Sequence, residues 1–386
     1  MRRREFAKLA LLGLVGASAL PALAACTTTR SDGTSTPWCG ADISFTLQEE
    51  AIGTRLTDET TDGAVAPIEQ ILANRGATAV RLRVWVNPPA GYSNKKSLLT
   101  LAKRAHAVGL KIVLDLHYSD FWADQTTQTT PAAWAGQSLT ELTATVREYT
   151  RQIVTDLNTQ GTPPAVVQIG NEVTNGMLWP TGQVYHSSGR EDWTGFTTLL
   201  KAGVQGVHDA PGPAGPAATM LHIQRIDHLE STRYTLDQIF VREDRFDLIG
   251  VSYYPFWHGP LDTLQNALDD LATRYGKDLV VAETSYPWTL NAGSEPQLFV
   301  ESTGILPEPE RFPPTPDGQA AYFRALHQVL SNVSDGHGAG WLVWEPGWLP
   351  GVDAHPDVDN PYANLTMFDY SGKGLPSLSA FNPEPI

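Results

Sequence analysis

The chain is short of cysteine, short of positive charge, and has no long apolar run after its N-terminus. Each shortage narrows what it can be. Of 386 residues only Cys26 and Cys39 are cysteine, too few for a disulfide framework, so stability has to come from a large core. Lys and Arg number 27 against 42 Asp and Glu, a formal net charge of -15. Nucleic-acid binding relies on clustered basic side chains that replace phosphate counterions, and this balance argues against it. No segment beyond the N-terminus is long and apolar enough to span a membrane. Phe45 runs into Thr46-Leu47-Gln48-Glu49-Glu50 with no Gly-rich phosphate loop, which disfavours a dinucleotide-binding doubly wound sheet. No internal repeat is present.

The first residues read as an address rather than as structure. Residues 1–25 form a signal segment in which Arg3-Arg4-Glu5-Phe6-Ala7-Lys8 resembles a twin-arginine export motif, followed by an apolar stretch from Leu9 to Leu20. Leu23-Ala24-Ala25-Cys26 looks like a bacterial lipobox, with Cys26 as the lipidated residue. This predicts a protein that is exported, sits at the cell surface, and touches the membrane only through an N-terminal lipid. The segment carries Arg2, Arg3, Arg4 and Lys8 against Glu5, a net of +3, so its removal takes -15 to -18. Residues 26–38, rich in Thr and Ser, read as a flexible tether, and 39–386 as one catalytic domain.

From Gly40 onward, short β-branched runs alternate with amphipathic helical patterns, the signature of parallel βαβ units. Candidate strands are Ala41–Phe45, Ala79–Val86, Lys111–His117, Ala165–Gly170, Ala218–His222, Leu248–Tyr253, Leu279–Glu283 and Gly340–Trp344. Several are continuous apolar runs, as strands covered on both faces should be. Eight such strands with helices between them predict a single-domain α/β fold, the (β/α)₈ TIM barrel. Four histidines, His106, His208, His327 and His337, fall in helical or turn patterns and are expected at the surface.

Barrel enzymes carry their chemistry at the C-terminal ends of the strands, and polar and aromatic residues crowd there. Strand four ends Gly170-Asn171-Glu172 and strand seven ends Val281-Ala282-Glu283. A carboxylate closing an apolar strand is costly unless paired or hydrogen-bonded, and the bland alternative is a salt bridge capping the barrel. Two of them, on strands that face each other across an eight-stranded barrel, supply what glycosidic cleavage needs: an acid for the leaving oxygen and a carboxylate to attack or to activate water. Asn171 is placed to bond a sugar hydroxyl. Arg83 and Tyr254 are expected to hold Glu283 ionised, and Glu172 should have the higher pKa of the two. Trp85, Trp122, Trp179, Trp257, Trp288, Trp344 and Trp348 all fall at or past strand ends, where flat rings can face pyranose sugars. His117 reads as a sugar-binding residue or a support to one, because no second His or Cys lies at ligand spacing from it.

At these residues the sequence resembles the arabinogalactan endo-β-1,4-galactanases of glycoside hydrolase family 53, in clan A. The resemblance runs from about Gly40 to Phe381. It rests on Gly40-Ala41-Asp42-Ile43-Ser44, Arg83-Val84-Trp85-Val86-Asn87-Pro88, and His117-Tyr118-Ser119-Asp120-Phe121-Trp122-Ala123-Asp124. It continues through Gln168-Ile169-Gly170-Asn171-Glu172-Val173, Gly250-Val251-Ser252-Tyr253-Tyr254-Pro255-Phe256, Val281-Ala282-Glu283-Thr284 and Trp344-Glu345-Pro346-Gly347-Trp348. The resemblance implies Glu172 as acid/base, Glu283 as nucleophile, a retaining mechanism, and internal cleavage of the β-1,4-galactan side chains of pectin. Asn171, Arg83, His117, Asp120, Trp122, Tyr254, Trp288 and Trp344 are then the expected substrate-binding residues.

The sequence departs from the family in two places. After strand five it reads His222-Ile223-Gln224-Arg225, without the family's aspartate. Some bacterial members bind calcium between the last two loops, but Thr289–Glu295 carries no matching ligand run. Asp353, Asp357 and Asp359 read as a solvated acidic loop, so neither metal nor cofactor is expected. The chain is expected to act as a monomer. The rival readings are another clan A glycanase (a mannanase, xylanase or cellulase) and a non-catalytic oligosaccharide-binding lipoprotein.

Overall fold

A computed structural model describes residues 28–29, 35–89, 91–352 and 359–382. The signal segment and Cys26 lie outside the described residues, as do Asp353 and Asp357. Eight parallel strands close into a barrel in sequence order. They are β1 (Trp38–Asp42), β2 (Ala79–Val84), β3 (Lys111–Leu116), β4 (Val166–Ile169), β5 (Ala218–Ile223), β6 (Leu248–Ser252), β7 (Asp278–Thr284) and β8 (Gly338–Trp344). β8 pairs with β1 in parallel, Trp344 opposite Asp42. A two-residue antiparallel pairing of Thr28–Thr29 with Ser35–Thr36 precedes the barrel.

The first strand lies three residues earlier than the sequence suggested. Trp38, assigned to the tether, begins β1, and Phe45 caps a short helix, α1 (Thr46–Ala51). The reason is the closure: Gly340 sits opposite Trp38, and both are buried inside the barrel. At Gly40 the neighbouring strand passes so close that a Cβ would meet the Ala79 carbonyl oxygen at 1.8 Å, so only glycine fits.

The outer helices each bury one stripe. Ser138 caps the helix Leu139–Thr159 with a reciprocal box to Glu141, and its Leu142, Val146, Ile153, Val154 and Leu157 face the barrel. The helix Pro316–Ser331 buries Phe323, Leu326, His327 and Leu330 on one face. His327 is therefore a core residue, not a surface one, and its Nδ1 accepts the Trp341 indole N–H at 3.2 Å. His106 and His208 are exposed and His337 is half-buried.

Inside the barrel, alternation places every second residue of each strand on the axis. Trp38, Ala79, Val113, Val166, Met220, Leu248, Val280 and Leu342 form one apolar cluster at the base. Two residues further along the strands the layer turns polar: Arg81, Asp115, Gln168 and His222 replace Ala79, Val113, Val166 and Met220. The next step upward is the open rim. The fold thus carries buried polar groups toward one end, where the cavity opens. Among the described residues no helix is long and apolar enough to cross a membrane.

Candidate active site

The chain leaves β4 through a strained turn. Gly170 has φ of 78° and Glu172 φ of 48°, a left-handed conformation that costs a non-glycine residue energy and persists only where its surroundings enforce it. They do. Asn171 between them donates Nδ2 to the Ala123 carbonyl at 2.9 Å, and its Oδ1 accepts from Arg81 Nη2 at 2.7 Å and Gln168 Nε2 at 3.0 Å. Gln128 donates to the Asn171 carbonyl at 2.8 Å. The turn aims the half-buried Glu172 side chain into a cavity of about 340 Å³ that Glu283 also lines.

The two carboxyls have different company. Glu283 pairs with Arg81 Nη1 at 2.9 Å and accepts the Tyr254 hydroxyl at 3.1 Å. Glu172 is bonded to Ser252 Oγ at 2.6 Å, and among the described residues no cation pairs with it. Burial, then the charge of Glu283, pushes the Glu172 carboxyl up to about 8. Burial raises Glu283 too, and Asp115 and Asp42 add to it, so it stays above the ordinary carboxylate value. Arg81 and the Tyr254 hydroxyl nevertheless oppose the rise as nothing opposes it so closely at Glu172. Glu172 is thus the better proton holder and Glu283 the better anion.

Beneath them Arg81, with no solvent exposure, is shared by three carboxylates: Asp42 at 2.8 Å, Asp115 at 2.8 Å and Glu283. Burial opposes the ionisation of Asp115, yet Arg81 and His117 hold it at about 2. His117 Nε2 lies 2.9 Å from Asp115, and the His117 ring, buried, is driven toward its neutral form. Its Nδ1 accepts the Trp85 indole N–H at 3.1 Å.

Arg83 does not hold Glu283. Its Nη2 pairs with Glu345 at 3.2 Å, and its guanidinium lies 4.6 Å from the Phe45 ring, 4.6 Å from Trp122 and 5.0 Å from Trp85. Both arginines point inward, but Arg83 sits two residues, about 6.6 Å, further up β2, level with the end of β8 instead of with Glu283. Of the expected substrate-binding residues, the structure brings Arg83, His117, Trp122, Asn171, Tyr254 and Trp344 to the cavity wall beside the two glutamates. Asp120 and Trp288 do not line it. Asp120 spends both oxygens on backbone N–H groups, of Asn87 at 2.9 Å and Ala132 at 2.8 Å, and so braces two loops. Trp288 packs edge-on against Tyr370, 4.9 Å away.

Of the seven rim tryptophans, Trp122, Trp257, Trp344 and Trp348 line the cavity, Trp257 at 47% exposure. Trp85 is buried behind His117. Sequence reasoning missed Tyr362, whose ring lies 4.4 Å from Trp344 and 5.7 Å from Trp348. It also missed Asp124, Gln125 and His258 on the wall. Gln224, where the sequence departs from the family, lines the cavity and accepts the Thr174 hydroxyl at 2.6 Å. Among the described residues no group of three or more His, Cys, Asp or Glu side chains is placed to hold a metal ion. Asp359 of the acidic run lines the cavity. Cys39 is buried, its thiol against the Phe381 carbonyl at 3.1 Å, and burial pushes its pKa up to about 12.

The family model for glycosyl hydrolase family 53 matches residues 38–381. The chain belongs to glycosyl hydrolase family 53, and it is a glycoside hydrolase. An arabinogalactan endo-β-1,4-galactanase of Thermothelomyces thermophilus is 34% identical over 348 residues, which cover 89% of this chain and 98% of the relative. An uncharacterized protein of Niallia circulans is 38% identical over 350 residues, 88% of this chain and 92% of the relative. Among solved structures, a fungal β-1,4-galactanase superposes with a TM-score of 0.77 at 32% identity, covering 89% of this chain and 98% of the other. The family 53 catalytic domain of Ignisphaera aggregans gives 0.82 at 31%, covering 90% and 96%.

The buried carboxyls of this chain carry a stability prediction. Glu49 is pushed up to about 8 by burial and then by Glu50, and Glu345 is raised well above the usual range by burial and then by Asp42. With Glu172, three groups bind protons in the native chain at pH values where the unfolded chain has released them. The native state therefore binds more protons between about 4.3, the ordinary glutamate value, and 8, so stability falls as pH rises through that window. Thermal unfolding should show a lower Tm at pH 8.5 than at pH 6; an equal or higher one contradicts the raised pKa values.

Proposed function

We propose that this enzyme is an endo-acting, retaining arabinogalactan endo-β-1,4-galactanase, with Glu172 as acid/base and Glu283 as nucleophile. The observation that carries the reading is the pair of carboxyls in one cavity with opposed environments, one paired with a cation and one not. Glu283, anionic beside Arg81 and Tyr254, attacks the anomeric carbon and forms a glycosyl ester. Glu172 gives its proton to the departing oxygen, then takes one from the water that hydrolyses the ester. The names of the relatives support galactan as substrate, and the aromatic wall of Trp122, Trp257, Trp344, Trp348 and Tyr362 suits the faces of an uncharged polysaccharide.

Incubation with galactan, mannan, xylan and cellulose tests the substrate. Release from linear galactan is expected; release from another polymer and none from galactan would sink the assignment. Proton NMR of the first product should show the β-anomer before mutarotation, whereas the α-anomer would mean inversion. The basic limb of kcat/KM should lie near pH 8, because deprotonation of Glu172 removes the acid, so activity falls as pH rises through it. A limb that stays flat to pH 9 would contradict that role.

Export and anchoring through Cys26 belong to the same proposal, supported by the sequence of residues 1–26 alone, as does a monomeric state. Metabolic labelling with a fatty-acid analogue should mark the wild type and not Cys26→Ala; equal labelling of both would refute the anchor.

A further inference from the structure

A buried polar chain runs behind Glu172 that the double displacement leaves unused. Ser252 Oγ, at the end of β6, lies 2.6 Å from Glu172 Oε1 and 3.0 Å from His222 Nε2. His222 Nδ1 lies in turn 2.8 Å from Asn171 Oδ1 and 3.1 Å from Gln168 Nε2. Ser252 and His222 are buried, at 1% and 0% exposure, so their hydrogen bonds are decided within the protein.

A serine hydroxyl has one proton, and here two neighbours compete for it. The tautomer of His222 decides between them, and Arg81 fixes the tautomer. Arginine only donates. It gives Nη2–H to Asn171 at 2.7 Å and Nε–H to Gln168 at 3.1 Å, so both amides must turn their oxygens toward it. His222 Nδ1 therefore faces the Asn171 oxygen at 2.8 Å and the Gln168 NH₂ at 3.1 Å. The two hydrogens of that NH₂ go to Asp115 Oδ1 at 2.7 Å and the Gly170 carbonyl at 3.0 Å, leaving the oxygen as the partner that decides. A bare lone pair there would repel that oxygen, so Nδ1 carries the hydrogen. Burial, then Arg81, keeps His222 neutral, and Nε2 is left as an acceptor facing Ser252.

We propose that Ser252 is a two-position hydroxyl rotor and His222 its second acceptor, together positioning the proton of Glu172. This rests on Glu172 being the acid/base. With Glu172 protonated, its O–H donates to Ser252 Oγ and the Ser252 hydroxyl donates to His222 Nε2. Substrate offers the carboxyl proton a competing acceptor, the glycosidic oxygen. Once that proton has left, the hydroxyl turns and donates to the Glu172 carboxylate, leaving His222 Nε2 without a donor. No proton passes along the chain. The ionised form gains a hydrogen bond at the expense of another, so His222 biases Glu172 toward its acid form. The other ionisable groups facing this chain are Arg81 on β2, Asp115 and His117 at the end of β3, and Asp124 beyond it, with Tyr254 after β6, Glu283 on β7 and Tyr362 after β8. They set the absolute pKa and stay in place in the comparison below.

The test begins with the wild type. Nitrogen-15 NMR of the histidine rings, with the His222 signals assigned by their loss in His222→Asn, should show Nδ1 protonated and Nε2 bare near neutral pH. The opposite tautomer overturns the proposal. In His222→Asn the amide still offers Asn171 a donor but offers Ser252 no acceptor. The hydroxyl then serves the carboxylate alone, and the basic limb of kcat/KM should move down by about one pH unit. Adding Ser252→Ala should bring it back up. An unmoved limb in His222→Asn, or the same limb in single and double variants, overturns the rotor. Glu172→Ala on an aryl β-galacto-oligosaccharide, whose leaving group needs no acid, separates the two levels. Activity as fully lost there as on galactan overturns the acid/base reading; activity retained leaves the rotor to be decided by tautomer and limb.

Discussion

Replacing Glu283 with alanine should abolish galactan cleavage, lowering kcat on the order of 10⁴-fold or more, while oligosaccharide binding stays measurable. In the proposed mechanism Glu283 supplies the attacking oxygen, and neither Asp42 nor Asp115 can take its place, since both lie beneath it, bound to Arg81. The cavity wall that holds sugar is otherwise untouched. The fold should survive as well, because Arg81 keeps two carboxylate partners after the third is gone. Removing Glu283 also removes the charge that is the second cause of the raised Glu172 pKa, so Glu172 should titrate lower in the variant. Azide sharpens the assignment. Entering the space left by Glu283, it should give an α-galactosyl azide, whereas with Glu172→Ala it should attack the ester intermediate and give the β-product. Wild-type activity in Glu283→Ala, measured by reducing-sugar release, would show that the nucleophile lies elsewhere.

That the two glutamates meet in one cavity was legible in the sequence because each follows an apolar run at the C-terminal side of its strand, and the strand pattern itself reports barrel positions. The barrel followed from the same alternation, although β1 was displaced because Trp38 looks like tether rather than strand. What lay beyond the sequence was whatever depends on height and tilt inside the barrel. Arg81 and Arg83 are equivalent on a strand diagram, and only the closed structure shows that the lower one reaches Glu283 while the upper one reaches Glu345. Asp120 belonged to a motif and still turned out to brace loops, since its partners Asn87 and Ala132 are set by how two loops pass each other. Tyr362 could not be placed because the chain after β8 returns over the rim along a path that no local pattern specifies. His327 is a different kind of miss. Its spacing from Phe323, Leu326 and Leu330 put it on the buried stripe, and that signal was readable.

Arg81→Met should be the most destabilising single change in the barrel interior. The substitution keeps much of the volume but leaves Asp42, Asp115 and Glu283 buried without their shared cation, and breaking buried ion pairs in this way costs about 3–5 kcal/mol. The same change should lower activity far beyond any loss of fold, because Glu283 would tend to pick up a proton and cease to be a nucleophile. Asn171 and Gln168 would each lose the donor that fixes their orientation. The penalty should shrink on acidification. Asp115 is held at about 2 by Arg81 and His117. Without Arg81 its pKa rises, and protonation at pH 4 to 5 relieves the uncompensated charge in the variant while leaving the wild type ionised. Denaturant unfolding at pH 7 and pH 4.5 checks this. A stability gap between Arg81→Met and wild type that is as large at pH 4.5 as at pH 7 would mean that packing, not charge, is what Arg81 contributes. Arg81→Lys should fall between the two, since one ammonium restores the charge but cannot reach Asp42, Asp115, Glu283, Gln168 and Asn171 from a single fork. Stability and nucleophilicity thus hang on one guanidinium.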